Sequence, residues 1–207
     1  MSLLAALALA ALPLAPQTDY VADVQFAIDE IEKQCGGLLK SKKIDWRKVT
    51  EPLLADAKSV KNDGEHWVLL TRLLARLQDG HCAVQKLPGA GNLEWPADPR
   101  GEKTGVGMFW CRSGGKIYIK DVWNEAEKAG IAQGMEVLEV GGVPVSTWLE
   151  RRLLEVSDRE SFSTPQMAFA YTCHWGLWDY PGTKLSLVLK KPRGKKTERE
   201  VTYVHST

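Results

Sequence analysis

A stretch of twenty residues in the second half of the chain, 126–145 (AEKAGIAQGMEVLEVGGVPV), restricts the possible fold more than any other part of the sequence. It begins with small residues that favour a short helix, and Gly130 ends that helix because glycine readily adopts a left-handed backbone. Gly134 makes a second turn before Val137 to Val140, whose apolar side chains predict a buried strand. The pair Gly141-Gly142 then turns the chain tightly. The stretch therefore predicts a helix, a turn and a core strand in that order.

A second pair of glycines, Gly105 and Gly107, lies upstream in the segment 104–111 (TGVGMFWC). Glycines at alternate positions allow successive backbone N–H groups to point at one spot, where they can hold a carboxylate. The apolar residues that follow predict a strand with an open edge, to which an extended peptide can add. Apolar residues at 117, 119 and 122 predict the return strand of a hairpin.

Together these two segments resemble a bacterial PDZ domain, with Met135 standing where an aspartate is usual. The resemblance implies that a helix from Thr147 to Val156 forms the far wall of a groove for extended peptides and protein C-termini. The peptide-binding residues that it implies are Gly105, Val106, Gly107, Met108, Phe109, Leu149 and Leu153.

The first third of the chain is predicted to be helical. Apolar residues recur at steps of three and four over residues 19–39, which predicts an amphipathic helix. A second helix is predicted to begin near Asp45 or near Thr50, either of which can cap it. A third is predicted over 65–78. Three short helices with complementary apolar faces predict a small helical bundle at 19–85.

The third helix leads into Leu77-Gln78-Asp79-Gly80-His81, where Gly80 is a natural helix terminator. A helical bundle that ends in this motif and precedes a PDZ domain resembles the front end of the tail-specific and tricorn-like serine peptidases, the C-terminal-processing family. The resemblance implies that His81 is the general base for a serine of a later catalytic core. A partly exposed histidine suits that role because its pKa lies near neutrality. A structural, hydrogen-bonded His81 is the alternative.

No serine of this chain has the surroundings expected of a nucleophile, a strand-to-helix turn flanked by small residues. Ser161 and Ser163 lie among charged or helix-capping residues. Cys82 follows His81 directly, and adjacent residues rarely form a nucleophile–base pair. His66, His81 and Cys82 lack the spacing of metal ligands, so neither a metal nor another cofactor is expected. The sequence leaves open whether this chain is an enzyme by itself.

The predicted fold class is α+β: a three-helix bundle, a PDZ-like β-barrel or sandwich, and a C-terminal β-hairpin. The Pro- and Gly-rich segment 86–103 predicts a linker before a PDZ-like domain at 104–160. Residues 161–207 predict a helix starting near Pro165, an aromatic cluster at 174–178 and the hairpin. The cluster is interpreted as core packing, with a ligand cage as the alternative. In the family named above such a hairpin leads into the catalytic core, which the resemblance implies is missing from this chain.

Residues 1–16 are almost wholly apolar and resemble a secretory signal peptide, which predicts export to the periplasm or the extracellular space. A short buried helix is the alternative for this segment. Cys35, Cys82, Cys111 and Cys173 permit three disulfide pairings, and their irregular spacing is equally compatible with free buried thiols.

The net charge of +1 and the short basic runs do not indicate a nucleic-acid partner. Beyond the N-terminus no apolar run is long enough to span a bilayer. Two functions remain. In the first, the chain is the substrate-recognition front half of a tail-specific serine peptidase, whose catalytic core belongs to the full-length protein or acts in trans. In the second, it is a secreted, non-catalytic, PDZ-type peptide-binding protein.

Overall fold

The computed structural model describes residues 19–84 and 101–204. Its first part consists of three helices, α1 (Tyr20–Ser41), α2 (Trp46–Ala57) and α3 (Asp63–Ala75). The side chain that precedes each helix accepts a hydrogen bond from an N–H group of the first turn, which stabilises the helix start. These caps are Asp19, Asp45 and Asn62. Of the two predicted starts of the second helix, the one at Asp45 is confirmed.

The three helices pack around one apolar core. Trp46, at the start of α2, is 4% exposed, and its indole N–H donates to the carbonyl oxygen of Ile28 at 3.0 Å. A buried indole requires such an acceptor, because an unpaired N–H in apolar surroundings costs about 1–3 kcal/mol. This bond ties α2 to the middle of α1. The buried residues of the core are Val24, Ile28, Leu39, Trp46, Leu53, Ala57, Leu69, Leu73 and Leu77.

The second part is built on an antiparallel sheet of six strands. The strands are β1 (Met108–Ser113), β2 (Lys116–Val122), β3 (Glu136–Val140), β4 (Val143–Pro144), β5 (Lys184–Lys190) and β6 (Lys196–Thr202). Their order is β1-β2-β3-β5-β6, and the short β4 pairs with β3. This order leaves β1 and β6 at the two edges of the sheet.

Helical segments cover the sheet and close a second core. They are α4 (Asn124–Lys128), α5 (Val145–Ser157), α6 (Pro165–His174) and a 3-10 helix (Trp175–Leu177). Thr164 caps α6, and Pro165 occupies the first helical position, where its missing N–H has no cost. The largest side chains that this core buries almost completely are Trp110, Met108, Ile119, Leu177, Leu187 and Leu189.

The C-terminal hairpin belongs to the same sheet as the strands before it, although the sequence placed it in a separate segment, 161–207. β5 pairs with β3, with Leu189 opposite Val137. The inward-facing residues of β5 are buried in the core shared with β1, β2 and β3. Without β5, this edge of β3 would present unpaired N–H and C=O groups. Residues 104–204 therefore form one structure around one core.

The α+β class predicted from the sequence is confirmed, with helices preceding an antiparallel sheet. The predicted signal peptide, 1–16, lies outside the described residues, as does most of the predicted linker, of which only 101–103 is described. Within residues 19–84 and 101–204, no helix combines the length and the apolar character needed to cross a membrane.

Candidate functional site

The segment Asp79-Gly80-His81 forms a tight turn shortly after α3. Gln78 has a left-handed backbone, with a φ of 52°, and so ends the helical path. The backbone carbonyl of Asp79 accepts a hydrogen bond from the N–H of Cys82 at 2.9 Å. The Asp79 carboxylate accepts from the backbone N–H of His81 at 3.0 Å. The aspartate thus closes the turn around the histidine.

The imidazole of His81 points away from the protein, and its side chain is 97% exposed. Its Nδ1 lies 3.0 Å from Oδ1 of Asp79. Hydrogen bonds from the backbone N–H and then from the ring of His81 lower the pKa of Asp79. An ionised carboxylate at Nδ1 favours the tautomer in which Nε2 is unprotonated, and that is the form a general base requires. The pair therefore has the arrangement of a base held by its orienting carboxylate.

Two serines from the second part of the molecule hold this turn in place. The N–H of Asp79 donates to Oγ of Ser161 at 2.8 Å, and the N–H of Gly80 donates to Oγ of Ser163 at 3.0 Å. Both hydroxyls therefore serve as acceptors for the backbone of the turn. Within the described ranges, no serine hydroxyl hydrogen-bonds with His81. Among residues 19–84 and 101–204, therefore, no serine nucleophile lies beside the candidate base.

A charged cross-link fixes α3 against the end of α5, close to the turn. Asp158, at the C-terminus of α5, accepts from Nε of Arg72 at 2.8 Å and from Nη2 of Arg76. Arg72 also donates to Asp56 at 2.8 Å and so joins α2 to the same network. These bonds connect the helical part to the sheet part and set the position from which His81 projects.

Cys82 does not form a catalytic pair with His81. Burial, with added effects of Asp79 and Cys35, raises the pKa of the Cys82 thiol. A thiol that stays protonated is a poor nucleophile. All four cysteines of the chain carry free thiols in the structure. Among the described residues, no group of three or more His, Cys, Asp and Glu side chains is placed to hold a metal ion.

The second candidate region is the loop Gly105–Gly107 in front of β1. Gly107 has a φ of 79°, and a Cβ there would lie 2.3 Å from the carbonyl oxygen of Trp123, so only glycine fits. The Gly107 carbonyl accepts from the N–H of Trp123 at 2.7 Å. At the other end, Thr104 and Asp179 exchange two backbone hydrogen bonds of 2.9 and 3.1 Å. Partners that are remote in sequence hold both ends of the loop.

A cavity of about 300 Å³ opens at this loop. Within residues 19–84 and 101–204, the N–H groups of the loop, Gly105–Gly107, donate to no backbone carbonyl. The indole Nε1 of Trp178 lies 3.3 Å from where a Cβ of Gly105 would stand and provides a further donor beside the loop. Converging N–H donors of this kind can bind a carboxylate. The cavity is also lined by Lys103, Phe109 and Trp123.

The structure separates the seven residues predicted to bind peptide into two groups. Four of them line the loop cavity, namely Gly105, Val106, Gly107 and Phe109. The side chain of Met108 points into the core, where it is 1% exposed and its sulfur accepts from the indole of Trp110 at 3.1 Å. Leu149 is buried and Leu153 is half-buried on α5, and the structure does not bring either to the cavity lining.

Lys103, Trp123 and Trp178 line the cavity and were not predicted from the sequence. The sequence did offer a signal for Trp178 as a ligand-contacting residue, because it belongs to the aromatic cluster at 174–178, for which a ligand cage was the alternative. The interpretation of that cluster as core packing is correct for Leu177, which is buried. It is wrong for Trp178, which is 38% exposed at the cavity.

A helical part that presents an Asp–His pair, followed by a sheet with a glycine loop, is the arrangement expected of a tail-specific serine peptidase. Comparison with solved structures confirms this likeness at the level of the fold. A serine-to-alanine mutant of CPAF matches with a TM-score of 0.63 and 18% sequence identity, over 90% of this chain and 34% of that chain. Mature CPAF matches with a TM-score of 0.57 and 16% identity, over 89% of this chain and 34% of that chain.

The photosystem II D1 C-terminal processing protease matches with a TM-score of 0.34 and 18% identity, over 92% of this chain and 45% of that chain. CPAF is a tail-specific serine protease. No protein-family model and no curated protein matches the chain. The chain spans about a third of the length of the CPAF chains that it matches.

Proposed function

We propose that this chain is the substrate-recognition part of a tail-specific serine protease and binds the carboxyl ends of peptides or protein chains. In this proposal the PDZ-like unit predicted at 104–160 is completed by β5 and β6 of the same sheet, and α1, α2 and α3 form a bundle that supplies His81. The fold shared with CPAF supports the relationship to this class of protease. The observation that carries the proposal is that the N–H groups of Gly105–Gly107 donate to no backbone carbonyl of the described residues, in a loop that lines a cavity.

The chemistry of the cavity suits a chain end better than a neutral group. A terminal carboxylate offers two acceptor oxygens to the loop N–H groups and the indole N–H of Trp178. Lys103 adds a positive charge to the lining, with its ammonium 5.2 Å from the centroid of the Tyr180 ring. Hydrogen bonds to charged groups contribute about 1.5–3 kcal/mol each, against about 1 kcal/mol for neutral ones. A free carboxylate therefore binds more tightly than the corresponding amide.

Calorimetric titration of the chain with an octapeptide acid and with the same peptide as its amide tests this site. We expect the amide to bind at least tenfold more weakly. Trp178→Phe keeps an aromatic ring but replaces the indole and so removes the N–H donor, which should weaken binding of the acid about tenfold. Trp148→Phe is the matched control, because Trp148 lies on α5 against Trp110 and does not belong to the cavity lining. Equal affinities for the acid and the amide would refute the carboxylate site.

For catalysis, we propose that Nε2 of His81 accepts the proton of a serine hydroxyl that belongs to a catalytic core outside the described residues. Asp79 would keep Nδ1 protonated and stabilise the imidazolium once it forms. The exposure of the His81 side chain, 97%, supports this role, since a base must be reachable by a group from another part of the protein.

The complete gene product, assayed for hydrolysis of peptides with a free carboxyl end, tests the role of His81. His81→Ala should lower kcat by a factor of about 1,000 or more. His66→Gln is the control, because His66 also lies beside an aspartate, Asp23 at 3.0 Å, but is on α3 with its side chain 13% exposed, whereas that of His81 is 97% exposed. Peptide binding without hydrolysis, unaffected by His81→Ala, would favour the alternative, a non-catalytic peptide-binding protein.

A further inference from the structure

The outer edge of β1 has no strand partner among the described residues, but α6 lies along it. Phe109 stacks on the ring of His174 at 4.5 Å between centroids, and the guanidinium of Arg112 lies 4.0 Å from the ring centroid of Phe169. Side chains three positions apart on a strand point to opposite faces of the sheet. Because both faces of β1 contact the same helix, α6 occupies the edge position rather than one face.

The position of α6 is fixed by its own burial. Cys173 is 2% exposed and Thr172 is fully buried, so one side of the helix belongs to the core of the sheet. The 3-10 helix that follows is joined to α5 by Arg152, which donates to the carbonyl of Gly176 at 2.5 Å and to the carbonyl of Trp178. The space between β1 and α5 is therefore filled by residues of this chain.

The loop cavity extends along β1 only as far as Phe109. The ring of Phe109 packs against Trp123 at 4.9 Å on one side and against Trp175 at 5.3 Å on the other. From Gly107 to Phe109 the chain advances by two residues, about 7 Å in an extended strand. The contacts with α6 begin at Phe109 itself, whose ring stacks on His174, and a strand added further along β1 would overlap them.

We propose that this site reads only the last two residues of a chain end, with the carboxylate at Gly105–Gly107 and no strand pairing along β1 beyond Phe109. The inference rests on the proposed function and narrows its substrate class. Phe109, Trp123 and Trp178 surround the terminal side chain, which makes an apolar final residue the best fit. Ligand residues further from the carboxyl end leave the cavity where the ring of Phe109 packs against Trp123 and Trp175. The substrate class is chain ends with an apolar last residue, whatever sequence precedes it.

A length series of peptides tests this inference. N-acetylated acids of two, four and eight residues, all ending in Ala-Val, would be titrated calorimetrically against the chain. An octapeptide with N-methylated third and fourth residues from its carboxyl end, which removes two N–H donors, is the matched control. We expect all four dissociation constants to agree within about threefold. Strand addition would instead tighten binding roughly two- to tenfold for each added hydrogen bond.

The outcomes separate this inference from the proposed function. Length-independent binding of the acids, with amides bound at least tenfold more weakly, supports both. Binding of the acids that strengthens with length and is lost on N-methylation leaves the carboxylate site standing and overturns the two-residue limit. Faster amide hydrogen exchange in α6 on binding of the octapeptide would overturn it as well, because α6 would then have been displaced. Equal binding of acids and amides overturns both.

Discussion

The Asp79–His81 turn and the Gly105–Gly107 loop are both candidate sites, but the protein builds them in opposite ways. The turn presents a side chain that is 97% exposed, and its backbone N–H groups donate hydrogen bonds to the hydroxyls of two serines that are remote in sequence. The loop presents main-chain donors in a recess, and a tight backbone contact at Trp123 holds it. A base that serves another segment must be reachable, whereas a carboxylate site needs donors that do not move. We therefore expect the loop to depend on backbone shape and the turn on side-chain hydrogen bonds.

The largest predicted effect is the loss of stability when a methyl group is added at Gly107 of the loop, compared with the same change at Gly80 of the turn. Gly107→Ala places a Cβ 2.3 Å from a backbone oxygen at a φ of 79°, and should lower the free energy of unfolding by about 3 kcal/mol. Gly80→Ala places a Cβ 2.9 Å from the end of the flexible Met167 side chain and in ordinary contact, at 3.5 Å, with Oγ of Ser163, and should cost less than about 1 kcal/mol. Urea denaturation measures both. Equal losses would remove the contrast between the two sites.

The next effect concerns the charged cross-link that supports the turn. Asp158→Ala leaves Arg72 and Arg76 without their shared acceptor and should cost about 1–2 kcal/mol, a figure reduced by the 39% exposure of that carboxylate. Asp56→Ala, the control, removes a single contact of Arg72 at a more exposed carboxylate and should cost less than about 0.5 kcal/mol. Chemical denaturation measures both free energies of unfolding. A larger loss of stability for Asp56→Ala would contradict the conclusion that Asp158 is the main acceptor for these arginines.

A smaller effect is predicted for the serine that holds Asp79. Ser161→Ala removes the acceptor of the Asp79 N–H and should cost about 0.5–1 kcal/mol, with faster hydrogen exchange at that amide. Ser186→Ala on β5, whose hydroxyl contacts only the exposed Glu200 side chain at 3.4 Å, is the control and should leave this exchange unchanged. Unchanged hydrogen exchange at the Asp79 amide in Ser161→Ala would show that the turn keeps its structure without the Ser161 hydrogen bond.

The smallest effect is the titration of Asp79. Its pKa in the folded protein is lowered from 3.8, so the ionised form stabilises the fold; this contribution is present above the unfolded pKa and is lost as the pH falls through the folded pKa. His81→Ala keeps the backbone N–H, the larger cause, so the pKa of Asp79 should rise but remain below 3.8. Carbon-13 NMR titration of the Asp79 carboxyl group measures both. A wild-type value at or above 3.8 would contradict the hydrogen-bonded turn.

The local elements of the fold were predictable because their signals lie in neighbouring residues. The apolar spacing over 19–39, the capping Asp45 and the alternating residues of the C-terminal hairpin each correspond to an observed helix or strand. The glycine loop was predictable for the same reason. A left-handed φ, such as that of Gly107, strongly favours glycine, so the residue type itself marks the turn in the sequence. The role of Phe109 in the cavity followed from its place next to that loop.

The surroundings of the sites were not predictable in this way. Trp178 reaches Gly105 across 73 positions of sequence, and Ser161 reaches Asp79 across 82. Met108 and Leu149 were assigned to a groove, but their side chains are buried in the core. A hydrophobic residue beside a turn can face either a core or a ligand, and the spacing of apolar residues does not distinguish the two.

Backbone propensity, capping and periodicity act over a few residues, so the helices, the strands, the glycine loop and the turn that carries His81 could be predicted from the amino-acid order. The position of α6 beside β1 and the two remote serines that hold the histidine turn emerged from the folded protein. Burial and hydrogen-bond partners depend on which distant segments meet. Which distant segments come into contact depends on how the whole apolar core packs, and therefore cannot be read from any single stretch of the sequence.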